Sequence, residues 1–310
     1  MTSIAGAVTA RARRSGNRAL AAVESAVMRT PRRPLSSPPI LIVGAPRCGS
    51  TLLSQVMIGC LDVSYLSNLH CALFGSPALA EYLVRRRPRP AMVYESRHGS
   101  TSGLLAPSEC GQFWYRFFRK APQPVAPAEA DPRGLHGLRT SVAALQAVAR
   151  RPVVFKNLIC SLRVAAIAAA LPEALFIVVH RDLTDNARSL LVARRSVTGS
   201  YERWWSAEPP GYETLLGLTP EQQVVGQVRG VEAAIDGDRE AVGRDHFLDV
   251  SYEDLCADPA DVLEAVTGFT AAHGCTLRRV ADPPSAFTPP RRANVDPELD
   301  ARLERAAAAT

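Results

Sequence analysis

The sequence contains very little lysine. Of its 36 basic residues only Lys120 and Lys156 are lysine, and the others are arginine. No run of basic residues interleaved with aromatic ones is present, so we expect no groove for single-stranded nucleic acid. The formal net charge of +6 still favours anionic ligands in general. The composition therefore indicates an anionic ligand and no nucleic-acid partner.

The cysteines and the apolar runs exclude further classes of protein. No two of the seven cysteines form a C-x-x-C pair, and their number is odd. With no secretory apolar region, this predicts free thiols and a cytoplasmic protein. No apolar run is long enough to span a bilayer. With 310 residues, 47% of them hydrophobic and 21% charged, the chain can bury one generous core.

Residues 1–36 differ from the rest in composition. They are rich in Arg, Ser and Ala, with Glu24 as the single acidic residue. A transit peptide or a membrane-surface helix has that composition. Because the apolar face is thin, we interpret the segment as a solvated tail or a loosely docked helix. Residues 37–310 would form one domain.

From residue 38 onwards, short apolar runs alternate with helical patterns. This alternation predicts an α/β domain with a single parallel sheet flanked by helices. Residues 88–139, 199–217 and 287–296 fit no element, and loops of that length often form lids or binding segments. The expected strands are 38–44, 62–66, 151–157, 174–180 and 246–250, and the expected helices are 50–60, 161–171, 183–195, 221–236 and 259–269.

The stretch ILIVGAPRCGSTLL joins the first strand to the first helix. Gly44 and Gly49 have the spacing of a Walker A loop, which aims backbone N–H groups and a helix N-terminus at an anion. Ser50 stands where the Walker lysine would be, and Arg47 lies inside the loop instead. Because that lysine bridges the β- and γ-phosphates, its absence disfavours hydrolysis of ATP or GTP. The loop therefore predicts an anionic group bound by Arg47 without a metal.

GAPRCGSTLL resembles the 5′-phosphosulfate loop of the sulfotransferases that use 3′-phosphoadenosine 5′-phosphosulfate (PAPS), in their bacterial and carbohydrate branch. Arg47, Gly49 and Thr51 match the family pattern, and Cys48 and Ser50 are small replacements. A thiol is a weaker donor than the hydroxyl it replaces. The resemblance implies that these five residues bind the 5′ end of PAPS.

The same family has an arginine at the end of a strand and a serine eight residues later, both on the 3′-phosphate. FIVVHRDLTDNARSLL supplies Arg181 and Ser189 at that spacing. An arginine there can give two parallel donors to a phosphate. By the same resemblance Tyr252 in DVSYEDL would lie by the nucleotide. Arg291 and Arg292 would close over the 3′-phosphate, unless their segment is simply a solvated basic loop.

Transfer of a sulfuryl group needs a cation for the developing charge and a base for the acceptor hydroxyl. RPVVFKN resembles the family strand that ends in a lysine, so Lys156 and Arg47 are expected to stabilise the charge. Some branches carry a catalytic histidine two residues later, where this chain has Leu158. The base must therefore come from elsewhere.

Three residues are candidates for the base. His98 lies in a polar turn and titrates near neutral pH. Glu109 precedes aromatic residues whose burial would favour its protonated form. His70, which follows the second strand, ranks behind both, and each candidate singly also has a structural explanation. Aromatic side chains that could shape an acceptor pocket are Trp204, Trp205 and Tyr212.

These features indicate a PAPS-dependent sulfotransferase that moves a sulfuryl group to a hydroxyl of a small molecule or carbohydrate and needs no metal. One alternative is a P-loop kinase or NTPase with a displaced lysine, although Asp182, a possible Mg²⁺ ligand, comes only after Arg181. Another is a non-catalytic nucleotide-binding scaffold, since Cys48 and Leu158 are changes that a decayed enzyme would show. The sequence indicates neither the acceptor nor the oligomeric state.

Overall fold

The structure is a computed structural model that describes residues 4–27, 34–87, 92–94, 101–288 and 296–309. Its strands are β1 (Ile40–Gly44), β2 (Ser64–Tyr65), β3 (Val153–Lys156), β4 (Leu175–His180) and β5 (Phe247–Ser251). Its α-helices are α1 (Ile4–Val27), α2 (Ser50–Cys60), α3 (Asn68–Ala72), α4 (Pro77–Val84), α5 (Gly111–Trp114), α6 (Pro132–Ala149), α7 (Val164–Ala170), α8 (Leu183–Thr198), α9 (Tyr212–Leu215), α10 (Pro220–Val242), α11 (Tyr252–Ala257), α12 (Pro259–Ala272) and α13 (Pro297–Ala308). Short 3₁₀ turns cover Pro127–Glu129, Leu158–Leu162 and Arg244–His246.

The five strands form one parallel sheet in the order β2-β3-β1-β4-β5. Each strand lies within or beside a stretch that the sequence predicts as a strand. The predicted class, a single parallel sheet flanked by helices, is therefore confirmed.

Two apolar layers cover the sheet. Alternate residues of β1 point to opposite sides: Leu41 and Val43 pack with α6, α7, α8, α10 and α13, whereas Ile40 and Ile42 pack with α2, α11 and α12. Because both faces are covered, the central strands β1, β3 and β4 read as continuous apolar runs rather than alternating ones. That feature made them recognisable in the sequence.

The structure contains more helices than the sequence predicts, and two of the differences lie close to the sheet. The helix expected over 161–171 is divided into a 3₁₀ turn and α7, and Asn157 caps the turn by accepting a hydrogen bond from the Ile159 amide at 2.9 Å. Within 88–139, which fits no element by pattern, α6 begins after Asp131, whose side chain accepts from the Arg133 amide at 3.0 Å. Asp131 followed by Pro132 is an ordinary helix-start signal.

The N-terminal segment contains a long helix packed on α3 and α4. Asn17, only 4% exposed, accepts a hydrogen bond from the Gly75 amide at 2.7 Å and donates one to the Ala72 carbonyl at 3.1 Å. Glu24 accepts from the Ser76 hydroxyl at 2.5 Å and the Ala78 amide at 3.1 Å. Polar contacts thus hold a helix with a thin apolar face. Within the described ranges, no helix combines the length and apolar character needed to cross a membrane.

Candidate functional site

A cleft of about 830 Å³ lies at the carboxyl edge of the sheet. The loop after β1 lines it, together with Lys156 at the end of β3, Arg181 directly after β4 and Tyr252 directly after β5. Parallel strands end at the same edge, so residues far apart in sequence meet there. The cleft is therefore where the fold gathers polar side chains.

Both glycines of the β1–α2 loop have backbone conformations that favour glycine. Gly44 has φ +148°, and a Cβ on it would lie 2.6 Å from the Val179 carbonyl oxygen. Gly49 has φ +101°, and a Cβ on it would lie 2.2 Å from Cδ2 of Tyr252. The first glycine lets the loop turn close to β4, and the second lets the Tyr252 ring pack directly on the loop.

The first turn of α2 faces the cleft. Its N-cap is Gly49, which has no side chain to accept from the amide groups of that turn. Ser50 and Thr51 occupy the turn and line the cleft. Uncapped amide groups at a helix N-terminus bind anions well. This end of the cleft is thus suited to a negatively charged group.

Two arginines meet beside the loop. Arg47 has φ +71° and donates from Nε to the Ser189 hydroxyl at 3.2 Å. Arg181 donates from Nη1 to the Arg47 carbonyl at 3.3 Å, and its guanidinium carbon lies 4.5 Å from the centre of the Tyr252 ring. Burial, followed by the nearby charge of Arg181, lowers the pKa of Arg47.

Neither guanidinium has a carboxylate partner within the described ranges. Nε of Arg181 is buried there with no hydrogen-bond acceptor. Two neighbouring cations without an acid form an electrostatically unfavourable arrangement that a bound anion relieves. The residues present therefore fit a ligand carrying phosphate or sulfate groups.

Tyr252 covers this arrangement. Burial above all, together with a hydrogen bond with Cys256, raises the pKa of Tyr252 to about 12. The phenol therefore stays neutral, and its ring face is available to the Arg181 cation. Arg181, Ser189 and Tyr252, which the sequence predicts as donor-binding residues, come together with Arg47.

Cys48 lies apart from them. Its side chain is 1% exposed within the core, and burial raises its pKa. Its amide donates to the Ala45 carbonyl at 3.2 Å within the loop. Of the five loop residues expected to bind the ligand, Cys48 is thus the one whose side chain and amide are both directed elsewhere.

An ion pair also lines the cleft. The ammonium of Lys156, with a side chain only 8% exposed, pairs with the carboxylate of Glu109. Asn157 donates from Nδ2 to the main-chain oxygen of Glu109 at 2.9 Å, which fixes Glu109 at the end of β3. The aromatic residues expected around Glu109, Phe113 and Trp114, lie in the core instead. The carboxylate therefore meets a cation rather than aromatic rings.

The remaining candidates for the base occupy different places. His98 lies outside the described residues, as do Arg291 and Arg292. His70 is 1% exposed: its Nδ1 is 2.8 Å from the Ser67 hydroxyl, and its Nε2 is 3.3 Å from a Glu81 oxygen. Because His70 does not line the cleft, it is not positioned to deprotonate an acceptor.

Of the aromatic residues in the 199–217 stretch, Trp205 lines the cleft. Trp204 is directed away: its indole N–H donates to the Ala207 carbonyl at 3.2 Å, and its ring centre lies 5.5 Å from that of Tyr212. Tyr94 and Phe287, which the sequence did not indicate, line the cleft as an edge-to-face pair with ring centres 5.0 Å apart.

One residue that supports the β1–α2 loop could not be recognised in the sequence. Ser161 is fully buried, accepts from the Gly44 amide and donates to the Gly44 carbonyl, each at 2.9 Å. These contacts join positions 117 residues apart. No local pattern marks them.

Comparison with known proteins gives a consistent result. A model of the sulfotransferase family matches residues 38–272. Among solved structures, the chain is similar to sulfotransferase STF9 from Mycobacterium avium, with a TM-score of 0.53, 18% identity, and coverage of 89% of this chain and 69% of that one. It is also similar to sulfotransferase STF1 from Mycobacterium tuberculosis H37Rv, with a TM-score of 0.48, 20% identity, and coverage of 77% and 68%. None of the curated proteins matches.

Proposed function

The chain belongs to the sulfotransferase family, and on that premise we propose that it transfers a sulfuryl group from PAPS to a hydroxyl of a small molecule or carbohydrate and releases adenosine 3′,5′-bisphosphate (PAP). The observation that carries the proposal is a pair of guanidiniums, Arg47 and Arg181, without a carboxylate partner in the described part of the chain, together with an ion pair that lines the same cleft. The two guanidiniums would hold an anionic donor, and the ion pair of Lys156 with Glu109 would serve the transfer.

The donor would be held mainly by the β1–α2 loop and the start of α8. The amides and hydroxyls of Ser50 and Thr51 would bind the 5′-phosphosulfate, because they are hydrogen-bond donors at a helix N-terminus. Arg181 and Ser189 would bind the 3′-phosphate. Charge-assisted hydrogen bonds from guanidinium to phosphate are about twice as strong as neutral ones.

The transfer itself needs one proton acceptor and one cation. The acceptor oxygen forms a bond to sulfur while the bond between sulfur and the bridging phosphate oxygen breaks. Glu109 would take the proton of the acceptor hydroxyl, and Lys156, together with Arg47, would stabilise the charge that develops on the oxygens. His98 is the alternative base.

The contacts of Asp182 argue against the kinase or NTPase alternative. Its side chain caps α8 by accepting from the Asp185 amide at 2.9 Å. A carboxylate engaged as a helix cap is poorly placed to act as the metal ligand that nucleotide hydrolysis requires. The donor-binding arrangement is thus better suited to a nucleotide without a bound magnesium.

Calorimetric titration with PAP tests the donor. We expect binding without Mg²⁺, and Arg181→Ala should weaken it by about 1.5–3 kcal/mol, the range for hydrogen bonds to charged groups. Arg195→Ala is the matched control, since Arg195 lies on α8 and donates to the Tyr201 hydroxyl at 3.0 Å. Preference for ATP–Mg²⁺ over PAP, or equal effects of both variants, would contradict the proposal.

A further inference from the structure

The positive charge of the protein is concentrated near the start of the chain. Residues 1–87 contain 11 arginines, no lysine and 3 acidic residues, which gives a net charge of +8. Residues 88–310 contain 25 basic and 27 acidic residues, which gives −2. The first part therefore carries the whole basic excess, and such asymmetry is typical of a protein that meets an anionic surface.

The three acidic residues of this part are engaged by internal partners. Glu24 binds the start of α4 through Ser76 and Ala78. Asp62 pairs with Arg151 at 2.9 Å, and the carboxylate of Glu81 accepts from the Ser64 hydroxyl at 2.9 Å. The surface arginines of α1 are thus not neutralised by acids of their own segment.

Helix α1 presents arginines on one exposed face. Arg11, Arg14 and Arg18 are separated by three and four residues, so they lie on the same side of the helix, and all three are exposed. Within the described residues none of them takes part in an ion pair. At 3.6 residues per turn, the docking side chains Asn17 and Glu24 project roughly 100° around the helix from the three arginines.

Helix α4 differs from an ordinary amphipathic helix because apolar side chains lie on the side that faces solvent. Leu79, Tyr82 and Leu83 follow helical spacing and are 39%, 59% and 48% exposed. The Arg85 guanidinium lies 4.9 Å from the centre of the Tyr82 ring. Arg86 and Arg87 follow and are also exposed. An apolar stripe next to arginines resembles the interfacial pattern of membrane-surface helices.

Helix α1 is held beside the start of α4 by polar contacts. The carboxylate of Glu24 accepts from the Ala78 amide in the first turn of α4. Closer to the middle of α1, a Cβ on Gly75 would lie 1.9 Å from the Asn17 carbonyl oxygen, so the approach requires glycine. We define the α1–α4 face by Arg11, Arg14, Arg18, Leu79, Tyr82 and Leu83.

We propose that the α1–α4 face binds anionic lipid bilayers. Arginines near a bilayer surface are attracted to anionic head groups, while leucine and tyrosine side chains enter the boundary between head groups and acyl chains. A nucleic acid would use the arginines but would leave the apolar stripe exposed to water. The combination of exposed apolar side chains on α4 with the exposed arginines at its end, and with those of the attached α1, therefore favours lipid.

Co-sedimentation of the full chain with vesicles tests this proposal. We expect binding to phosphatidylcholine vesicles that contain phosphatidylglycerol, little binding to pure phosphatidylcholine, and weaker binding as salt rises. The variants Leu79→Ser/Tyr82→Ser/Leu83→Ser and Arg11→Gln/Arg14→Gln/Arg18→Gln should each reduce the bound fraction at least about tenfold, since each removes one of the two contributions.

The matched control removes the same charge elsewhere. Arg133, Arg203 and Arg305 are exposed and lie outside the α1–α4 face, so Arg133→Gln/Arg203→Gln/Arg305→Gln should bind vesicles like the unaltered chain. Circular dichroism of every variant checks that the fold is kept. Equal losses in the control, or no binding to phosphatidylglycerol, would overturn the proposal. So would tighter binding to duplex DNA that is indifferent to the apolar triple variant, because the surface would then be a nucleic-acid site.

Discussion

The two sides of the cleft are built in different ways. On the proposed donor side, Arg181 and Tyr252 directly follow β4 and β5, and Arg47 lies in the short loop after the neighbouring β1. On the proposed acceptor side, Lys156 ends β3, but its partner Glu109 comes from a long connection, as does Trp205, and both are held by contacts with distant residues. A side chain attached to a strand end inherits its position from the sheet, whereas one on a long loop depends on its partners. The donor side should therefore tolerate changes on the acceptor side.

Removing the ion pair gives the sharpest test of this independence. We expect Glu109→Gln and Lys156→Met each to reduce kcat by about 10²–10⁴, the usual contribution of general acid–base catalysis, with PAP affinity nearly unchanged. Assays with labelled PAPS and a panel of hydroxyl acceptors measure the first quantity, and calorimetry measures the second.

The exposed Glu213 on α9 supplies the control, because Glu213→Gln removes a carboxylate outside the cleft. If Glu109→Gln kept full activity, the base would have to be another group, with His98 as the next candidate. If either variant lost PAP affinity as well, the two sides of the cleft would not be independent.

The same contrast explains how much the sequence could predict. The proposed donor side lies in short contiguous motifs, so Arg181 and Ser189 could be located by resemblance to the family pattern, with its spacing and strand context. The central strands β1, β3 and β4 were likewise recognisable from their apolar runs. The pairing of Glu109 with Lys156 spans 47 residues, and the support of Gly44 by Ser161 spans 117. Contacts between residues so far apart produce no periodic pattern in the sequence, because they depend on the assembled sheet that brings the residues together.

Two candidate residues lie away from the cleft for equally local reasons. His70 follows a strand that ends near the cleft, but it is drawn into the cap of α3 by Ser67 and into contact with Glu81. Cys48 lies within the motif, yet its side chain packs into the core. A motif thus locates a loop well, but it does not say which of its side chains face the ligand.

Gly49 tests how tightly the donor side is packed. Gly49→Ala should weaken PAP binding and lower the free energy of unfolding by about 1–3 kcal/mol, the cost of a strained backbone, with an added clash against Tyr252. Gly199→Ala is the control, because Gly199 has φ +78° and no atom within 4 Å of its Cβ position. It should lose stability but keep PAP affinity. Equal PAP affinities of the two variants would contradict the packing argument.

Ser189 offers a smaller perturbation of the same side. Ser189→Ala removes the acceptor of the hydrogen bond from Arg47 and should reduce PAP affinity by about 0.5–1.5 kcal/mol. The exposed Ser285 supplies the control, Ser285→Ala. Calorimetry compares the two. An affinity unchanged by Ser189→Ala would mean that Arg47 is held adequately by its own loop.

The smallest expected effect concerns His180, the last residue of β4, which precedes Arg181 directly. Its Nδ1 is 3.9 Å from a Glu232 oxygen, and its Nε2 is 2.6 Å from an Asp249 oxygen. The nearby carboxylate of Glu232, opposed by burial and reinforced by Asp249, raises the pKa of His180 above its ordinary value. When it is protonated, the ring joins β4 to α10 and β5 beside Arg181.

The sign of the effect follows from that raised pKa. Because the folded state holds the proton more tightly, the contribution to stability is full below the unfolded pKa of about 6.5 and is lost as pH rises through the folded value. Urea unfolding of His180→Gln and the unaltered chain should thus differ most near pH ~6 and converge near pH ~9. His136→Gln, at an exposed position on α6, is the control. A difference in the free energy of unfolding that stayed constant with pH would show that His180 acts by packing alone. The charge on its ring would then make no contribution to stability.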